Sequence, residues 1–585
     1  MFNKKRYNYD DNNHWSDEQM GNPIIHKTSY SLKGIDELNA LSGDERRYLL
    51  EYPTVYVLNS GQKKKSDSKY DVYVGEANSI THRTKQHLQA KENDKVNGIE
   101  AANMYVIGDE FFNKSMTLDI ENRLIDHFMG NDSILSLNGR GNEQGSYYDS
   151  TVTQEIFENI WNQLHKDNEN LVPSLSVITS SAVFKASPFK TLSTEQRDAK
   201  NMILESVVDK LHSNETGQLI LVSGGAGTGK TVLLSTLFYE LSTRSFAKTA
   251  GLSEALSSYL VVNHDEQVTV YEQVAKKLGI GQGREHVVTK PTKWLNAFQD
   301  SEQLADVVLI DEAHLLWTQG KQAYRGKNQL DDILKKSKVV IAIFDERQIL
   351  RSEQHLTHEQ VERLMNRANE KIELKHQFRI DANDATVDWI ESFVQGEIKA
   401  IPEDDSYELK IFDNVSEMYT AIKERNNDSD KGLARMLATF DWPFKEKGAP
   451  TNGDKYWMVK TDGVGLPWNL QTATPADKRR NKGLSWAEAD YSINEVGSTY
   501  TIQGFDLNYA GLIIGPSVVY RDGRVAFDPT ASQNKSAIKR RDGIDYGIEH
   551  LQNELNVLIK RGVHGLFIYA VDDELRKALN KAAER

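Results

Sequence analysis

The most constraining feature of this sequence is a glycine-rich loop between a run of apolar residues and an amphipathic helix. The run QLILVS precedes GGAGTGKT at residues 224–231, and the helix that follows carries Leu233, Leu234, Leu237 and Phe238. Backbone N–H groups of such a loop surround phosphate oxygens, while its lysine neutralises them and its threonine hydroxyl holds Mg²⁺. The segment therefore predicts a nucleotide phosphate site. Its residues are Gly224, Gly225, Gly227, Thr228, Gly229, Lys230 and Thr231.

A second segment supplies the carboxylates that this chemistry needs. In VVLIDEAHLLW, four apolar residues deliver Asp311 and Glu312 to the carboxyl end of a predicted strand. Open parallel sheets bind their ligands at that edge. Asp311 is expected to hold Mg²⁺ through water, and Glu312 to orient or deprotonate the attacking water. The alternative is a solvated strand end. ATP and Mg²⁺ are the expected cofactors.

Length and composition limit the number of domains, the cellular location and the ways in which the chain can bind nucleic acid. The chain has 585 residues, whereas single cores stop growing at roughly 250–300, so about two to four domains are expected. Neither an apolar run of about 20 residues nor a secretory signal is visible. Cysteine is absent, which excludes disulfides and thiolate chemistry and fits a cytoplasmic location. With a net charge of −14, the chain would have to bind nucleic acid through a local basic groove.

Buried strands that alternate with helical stretches predict an α/β fold with doubly wound parallel sheets. Examples are YLVVN, DVVLIDEAH and KVVIAIFDE in a first unit, and ARMLATF, YAGLIIG and LFIYAV in a second. Residues 171–194 break the periodicity with Pro and Ser, which predicts a linker. The predicted organisation is an N-terminal arm over 1–49, a small α/β domain over 50–165, a linker over 166–190, a first ATPase domain over 191–370 and a second over 371–585.

From about Leu192 to Ala578, the order of short motifs resembles a superfamily 1 helicase core, especially the helicase-like domain of Schlafen-type proteins. The matching segments are LSTEQR, LVVNHD, DEAH, FDERQIL, LKHQFRID, STYTIQGFDLNYAGLIIG and NVLIKRGVHGLFIYA. The resemblance implies two RecA-like parallel-sheet P-loop NTPase domains. It also implies that Gln196 reads adenine and that Gln348 senses the γ-phosphate.

The later motifs of this resemblance supply the second half of a composite ATP site. They place Gln503, Gly504 and Asp506 in the fifth motif and imply that Arg379 and Arg561 are arginine fingers. A guanidinium from a second domain stabilises transition-state charge only when the domains close, which couples hydrolysis to motion.

Two departures bear on strand separation. Lys560 stands where many family members have threonine, and DEAH is not the commonest form of the second motif in superfamily 1. The segments TFDWPFKEKG and GLPWNL contain Trp442, Phe444, Lys445 and Trp468. These residues are expected either to stack bases in a single-strand channel or to fill the core of the second domain.

The N-terminal region carries a second cluster of chemically active residues. TVYVLNSG and YDVYVGEANSITHRTKQHL predict two strands joined by a charged hairpin and a helix from about Ser79. Ile80, Arg83 and His87 share one face of that helix. A later helix, TLDIENRLIDHF, has an apolar stripe that Glu121 interrupts. A carboxylate at core positions is costly unless it is paired or metal-bound.

Residues from about 50 to 150 resemble the GIY-YIG nuclease domain, although residues 54–56 are Thr-Val-Tyr in place of Gly-Ile-Tyr and the hairpin is longer than usual. The resemblance implies single-metal phosphodiester hydrolysis, with Mg²⁺ or alternatively Mn²⁺ at Glu121. Tyr56 is the implied general base, and Arg83 stabilises the pentacovalent phosphate. His87 would orient its neighbours or transfer protons. The residues carried over are Tyr56, Tyr73, Arg83, Glu121 and Asn138.

Together these resemblances imply a nucleic-acid helicase or translocase fused to a nuclease, with a role in bacterial antiphage defence. Nucleic acid is the expected partner, DNA in preference to RNA, alongside a homo-oligomer or protein partner and no membrane. The main rival is a nucleotide-gated switch whose N-terminal domain binds nucleic acid without cutting. A third reading is an acidic scaffold whose ATPase opens a protein interface.

Overall fold

The computed structural model describes residues 22–584, except for a set of short gaps. These are 61–68, 90–100, 140–149, 214, 226, 282, 300, 319, 321–323, 353, 429–431, 446–447, 449, 451–452, 482–483 and 541–542. The chain divides into two compact units, Met1–Thr179 with Lys276–Leu278, and Ser180–Ala275 with Gly279–Arg585. Among the helices of the described residues, none has both the length and the apolar character to cross a membrane.

The first unit is built on a five-stranded sheet of order β1-β4-β2-β3-β5. Its strands are β1 (Ile24–Ser29), β2 (Thr54–Ser60), β3 (Tyr70–Ala77), β4 (Ala101–Gly108) and β5 (Ile134–Leu137). Its helices are α1 (Leu32–Asn39), α2 (Gly43–Arg46), α3 (Ile80–Gln89), α4 (Lys114–Met129), α5 (Ser150–Asp167) and α6 (Leu175–Ser180), with a π-helical turn at Arg47–Glu51. All pairings are antiparallel except that of β3 with β5. Strand β2 lies between β4 and β3 and is buried along its whole length.

The predicted arm and linker are both corrected by the structure. Strand β1 pairs with β4, so part of the predicted arm belongs to the sheet, while residues 1–21 lie outside the described residues. The predicted linker contains α6 and a helical turn at Ala182–Lys185, and it buries Leu171 and Phe189. The buried apolar residues of this segment are isolated along the sequence. They lack the regular spacing from which a helix or strand is predicted, so the sequence pattern indicated a linker. The predicted hairpin tip, residues 61–68, also lies outside the described residues.

The second unit begins with a six-stranded parallel sheet of order β11-β6-β10-β9-β7-β8. Its strands are β6 (Gln218–Gly224), β7 (Ser258–Val262), β8 (Val288–Thr289), β9 (Ala305–Asp311), β10 (Ser337–Phe344) and β11 (Glu370–Leu374). Its helices are α7 (Ala182–Lys185), α8 (Thr194–Ser213), α9 (Lys230–Leu241), α10 (Arg244–Thr249), α11 (Asp265–Lys277), α12 (Pro291–Ala297), α13 (Gln329–Lys335) and α14 (His358–Arg367). Because β11 pairs with β6, the first ATPase domain extends to Leu374, past the predicted limit at 370.

A second parallel sheet follows, with five strands in the order β12-β20-β17-β13-β16, and two hairpins, β14-β15 and β18-β19, accompany it. The strands are β12 (Glu408–Ile411), β13 (Ala434–Ala438), β14 (Met458–Thr461), β15 (Val464–Pro467), β16 (Val496–Gly497), β17 (Leu507–Ile514), β18 (Val518–Arg521), β19 (Arg524–Phe527) and β20 (Gly562–Ala570). The helices are α15 (Asp384–Val394), α16 (Val415–Asn426), α17 (Pro475–Arg480), α18 (Thr499–Ile502), α19 (Gly547–Ile559) and α20 (Asp573–Ala583). The predicted α/β class with parallel sheets is confirmed.

Candidate functional site

The glycine-rich loop connects β6 to α9, as the sequence predicts. Gly227 and Gly229 have φ values of 83° and 75°, in the left-handed region that favours glycine. A Cβ at Gly227 would lie 2.6 Å from Cβ of Arg379, and one at Gly229 would lie 2.0 Å from Nε2 of Gln196. Any side chain at these positions would therefore be both strained and obstructed.

Lys230 is held inside this loop. Its Nζ donates to the carbonyl oxygens of Gly224 at 2.6 Å and Gly225 at 2.7 Å. It also lies 3.4 Å from Oδ2 of Asp345. The ammonium is buried at the base of the loop, where it can neutralise phosphate oxygens that reach the helix N-terminus.

Asp311 and Glu312 follow β9 at the carboxyl edge of the sheet. Asp311 accepts hydrogen bonds from the hydroxyl of Tyr271 at 2.6 Å and from the backbone N–H of Glu312 at 3.0 Å. Burial and the charge of Glu312 raise the pKa of Asp311 well above its usual range. Glu312 has a left-handed backbone with φ 50°, a conformation that costs a non-glycine residue about 1–3 kcal/mol.

A cavity of about 570 Å³ lies over the glycine loop, within the 300–1,000 Å³ range of ligand sites. The predicted residues that line it are Gln196, Gly227, Thr228, Gly229, Lys230, Thr231, Glu312, Gln348, Arg379, Gly504 and Asp506. The remaining predicted residues of this site, which are not in its lining, are Gly224, Gly225, Asp311, Gln503 and Arg561. A glycine cradle, a buried ammonium and two adjacent carboxylates fit ATP with Mg²⁺, for which Thr231 and Asp311 are the candidate ligands. Mg²⁺ in such a site neutralises phosphate charge.

Gln196 and Gln348 both make defined contacts beside the loop. Gln196 accepts from Ser193 N at 3.0 Å and donates to Thr228 O at 3.0 Å, so its amide braces the loop and α8. Gln348 donates to Oδ2 of Asp345 at 2.8 Å, the carboxylate that also faces Lys230. Asp345 stands where β10 ends, the same signal that identified Asp311, and the sequence prediction missed it.

The two predicted arginine fingers lie in different environments. Arg379 lines the cavity, and its Nε lies 2.7 Å from Oδ1 of Asp506. Arg561 is buried, with Nε donating to Val557 O at 2.9 Å and Nη1 to Phe505 O at 3.0 Å. Burial, and the nearby charge of Arg379, lower the pKa of Arg561 to about 10. Because its guanidinium is buried and bonded to two backbone carbonyls, Arg561 is not placed to contact a phosphate directly. Arg379 lines the nucleotide cavity, so its position fits that of an arginine finger.

The structure shows the surroundings of two residues of the fifth motif, Gln503 and Gly504, and of Lys560. Gly504 has φ 87°, and a Cβ there would lie 2.3 Å from Nε2 of Gln267. Gln503 is buried and ends helix α18. Lys560, which departs from the family pattern, forms an ion pair with Glu391.

The aromatic segments of the second sheet are mainly core. Trp468 is completely buried and belongs to the hydrophobic cluster of this sheet. Trp442 and Phe444 are half-buried and pack against that cluster, and Lys445 is exposed. Of the two alternatives, core filling therefore holds for Trp468, because three aromatic rings already surround it.

In the first unit, the predicted tyrosines meet across neighbouring strands. The rings of Tyr56 on β2 and Tyr73 on β3 stack with centroids 6.1 Å apart. The hydroxyl of Tyr56 lies 3.2 Å from Nε2 of His87 on α3. Arg83, which is exposed, interacts electrostatically with both tyrosines, and Glu121 interacts with Tyr73. Five side chains predicted from the sequence thus form one cluster.

Gly75 explains how this cluster packs. It is the cross-strand partner of Tyr56, and a Cβ there would lie 2.5 Å from the Tyr56 hydroxyl oxygen. Asn138 binds the adjacent backbone, accepting from Val74 N and donating to Val74 O, each at 2.8 Å. Asn138 therefore positions β3, and both functions of its amide are used in doing so.

A divalent ion at this cluster would have a sparse set of protein ligands. Glu121 is half-buried on α4, and the described residues include no group of three or more His, Cys, Asp or Glu side chains able to hold a metal. One carboxylate with phosphate and water oxygens fits Mg²⁺, which keeps several waters and uses few protein ligands.

Residues 217–572, more than half of the chain, match the family model for the Schlafen group 3 DNA/RNA helicase domain. The chain belongs to this family. A Schlafen group 3 helicase domain with an intact glycine loop and DEAH segment makes this protein a helicase-like P-loop ATPase, which implies ATP as its cofactor. A relative in Saccharomyces cerevisiae, the uncharacterized protein YPL245W, is 31% identical over 447 residues, or 70% of this chain and 94% of that protein.

Solved structures similar to this Schlafen group 3 protein include helicases. The Pif1 helicase from Candida albicans is 14% identical and has a TM-score of 0.26, with 68% of this chain and 97% of that chain covered. A structure of two coordinating Pif1 helicases that unwind forked double-stranded DNA is 11% identical with a TM-score of 0.26, covering 66% and 94%.

Proposed function

We propose that this Schlafen group 3 protein is an ATP-driven nucleic-acid translocase whose N-terminal unit cleaves phosphodiester bonds with a divalent ion. The observation that carries the cleavage proposal is the cluster of Tyr56, Tyr73, Arg83, His87 and Glu121. Two tyrosines, a cation, a histidine and a carboxylate lie together, although they belong to four elements, β2, β3, α3 and α4.

Each side chain has a role that its position supports. Exposed Arg83 can meet a phosphate from solvent and stabilise its extra negative charge. Glu121 would hold the ion, which supplies Lewis-acid activation of the scissile phosphate. Burial raises the pKa of Tyr56 well above its usual range, so the phenol is neutral. As Tyr56 accepts a proton from water, it can pass its own proton to Nε2 of His87, 3.2 Å away.

The alternative function is a nucleotide-gated switch whose N-terminal unit binds nucleic acid without cutting it. Burial of Tyr56, which is 2% exposed, favours this alternative because it opposes ionisation and limits access of water. The ATPase of the second unit would then report the presence of nucleic acid. DNA remains the favoured substrate over RNA, and a role in antiphage defence stays a prediction from the GIY-YIG and helicase resemblances alone.

Cleavage is tested with end-labelled single-stranded, double-stranded and forked DNA and with matched RNA, incubated with Mg²⁺ or Mn²⁺. The wild type is expected to nick one of these substrates, and Glu121→Gln is expected to abolish nicking while nucleic-acid-stimulated ATP hydrolysis persists. Asp119→Asn is the matched control on the same helix, since Asp119 pairs with Arg123 at 3.1 Å. Absence of nicking on the whole panel, with ATPase stimulation intact, would establish the switch.

Translocation is tested separately. ATP hydrolysis is expected to rise on addition of nucleic acid, and a labelled duplex or a streptavidin block is expected to be displaced only with hydrolysable ATP. Turnover that is indifferent to every nucleic acid would favour the scaffold reading instead.

A further inference from the structure

We propose that Lys185 is a positioning residue for Arg379, the expected arginine finger, and that it acts through Asp506. Lys185 is the last residue of the helical turn α7, in the segment whose sequence pattern indicates a linker. It is half-buried and lines the nucleotide cavity, although it belongs to none of the helicase-like motifs. The proposal deepens the ATPase part of the proposed function and rests on the finger role of Arg379; cleavage and translocation do not enter it.

Two contacts connect Lys185 to the finger. Nζ of Lys185 donates a 3.3 Å hydrogen bond to the backbone oxygen of Asp506. The carboxylate of Asp506 forms an ion pair with Arg379, whose Nε lies 2.7 Å from Oδ1. On the preceding peptide, the oxygen of Phe505 accepts from Nη1 of Arg561 at 3.0 Å. Two successive carbonyl groups are thus held by cations, and this fixes the backbone from which the carboxylate reaches Arg379.

The segment that carries Lys185 is anchored at both ends. At its start, the backbone N–H of Ala182 donates to Oε1 of Glu488 at 2.6 Å. Beyond Lys185, the oxygen of Pro188 accepts from the hydroxyl of Thr236, on the helix that follows the glycine loop, at 3.1 Å. Because the backbone is held at Ala182 and at Pro188, the side chain of Lys185 reaches Asp506 from a fixed base.

The electrostatic surroundings of Lys185 favour a positioning role over a stabilising one. Desolvation by the surrounding protein lowers the pKa of Lys185, and the carboxylates of Asp506 and Glu488 oppose that shift. An ammonium removed from water contributes little net stability, because its desolvation offsets the attraction of its partners. An uncharged side chain of similar length should therefore leave the fold intact while it releases the backbone of Asp506.

Release of Asp506 is expected to slow hydrolysis without weakening ATP binding. An arginine finger stabilises charge that develops in the transition state, so its alignment determines kcat. Ground-state binding of the phosphates is expected at the glycine loop and at Lys230, where α9 begins. Loss of the Lys185 hydrogen bond should therefore lower kcat and leave the Kd for ATP unchanged.

Lys185→Met in the full-length protein removes the donor and the charge and keeps the length of the side chain. It is expected to lower kcat for ATP hydrolysis by about 10²-fold, the loss that a misplacement of about 1 Å can cause. The Kd of a fluorescent ATP analogue and the Tm are expected not to change. Lys338→Met is the matched control and should retain kcat. Lys338 pairs with Asp306 at 2.7 Å where β9 and β10 begin, at the edge of the sheet opposite the glycine loop.

A double-mutant cycle separates action through Arg379 from an independent effect. If Lys185 acts only by positioning that guanidinium, Lys185→Met has nothing left to impair once Arg379 is alanine. The double variant should then hydrolyse ATP as slowly as Arg379→Ala alone. Hydrolysis is measured without and with nucleic acid, so a failure of translocation or cleavage is distinguishable from a failure of this proposal.

Additive losses in the double variant would overturn the proposal, because they would show that Lys185 acts independently of the finger. A raised Kd for the ATP analogue with an unchanged kcat would instead make Lys185 a direct ATP ligand. A lowered Tm with a parallel loss of ATP binding would make it a structural residue. An unchanged kcat in Lys185→Met or in Arg379→Ala, or an equal loss in Lys338→Met, would overturn the proposal as well.

Discussion

The hydroxyl of Tyr271 donates a 2.6 Å hydrogen bond to Oδ2 of Asp311. The tyrosine is buried on α11, and it joins a helix to the carboxylate expected to hold Mg²⁺ through water. With Glu312 N on the other oxygen, both Asp311 oxygens are oriented by the protein. The orientation of the expected Mg²⁺ ligand is thus set by a residue outside the recognisable motifs.

Tyr271→Phe is expected to raise the Mg²⁺ concentration needed for half-maximal ATPase activity by about tenfold, because partners that orient metal ligands contribute about 10- to 100-fold to affinity or activity. The measurement is ATP hydrolysis as a function of free Mg²⁺ at saturating ATP. Tyr239→Phe is the matched control, since Tyr239 packs edge-to-face on Phe189. An unchanged Mg²⁺ dependence in Tyr271→Phe would contradict a positioning role.

Lys230→Ala is expected to reduce kcat for ATP hydrolysis by about 10²–10³-fold, as removal of one preorganised group at a reacting centre does. The buried ammonium faces the loop carbonyls and Asp345, and the methyl group of alanine neutralises no phosphate charge. Steady-state ATPase assays measure the loss. Nicking by the N-terminal unit serves as the internal control, and a parallel loss of nicking would show that cleavage depends on ATP.

Arg379→Ala is expected to impair ATP hydrolysis, whereas Arg561→Ala is expected to impair thermal stability. Arg379→Ala should lower stimulated kcat by about 10³-fold, the lower limit for an arginine finger, with little change in thermal stability. Arg561→Ala should instead lower Tm, because its buried guanidinium bonds the carbonyls of Val557 and Phe505. Thermal unfolding and single-turnover hydrolysis, measured on both variants, separate the two effects. The reverse pattern would restore Arg561 as the finger.

Gly75→Ala is expected to destabilise the N-terminal unit by about 1–3 kcal/mol, a typical result of overpacking. Its Cβ would lie 2.5 Å from the Tyr56 hydroxyl oxygen in the centre of the sheet. Hydrogen exchange of β2 and β3 measures the local loss, and nicking should fall with it. Gly465→Ala is the control, since the nearest atom to its Cβ would be the flexible end of Met458, at 3.3 Å.

Glu554 makes the stability of the second unit depend on pH. It is 1% exposed, and burial, with a contribution from Asp441, raises its pKa to about 8. A raised folded-state pKa means that the protonated form is favoured by folding. Its contribution is complete below the unfolded pKa and is lost as pH rises through about 8.

Tm of the wild type is therefore expected to fall between about pH 5 and about pH 9, and Glu554→Gln is expected to flatten that decline. Differential scanning calorimetry of both proteins over this range measures the difference. Glu549→Gln, at an exposed position on the same helix, controls for general loss of charge. A wild-type decline that persists in full in Glu554→Gln would assign the titration to another group.

Local sequence determined the glycine loop, the carboxylates at the end of β9 and the parallel α/β class of the two ATPase sheets. These features follow from side-chain periodicity and from backbone preferences within a few residues. Tertiary structure alone decided that Tyr271 contacts Asp311, that Arg561 is buried and that Trp468 belongs to the core. Such contacts join residues distant in the chain, and they depend on how helices and sheets pack, which no local pattern encodes.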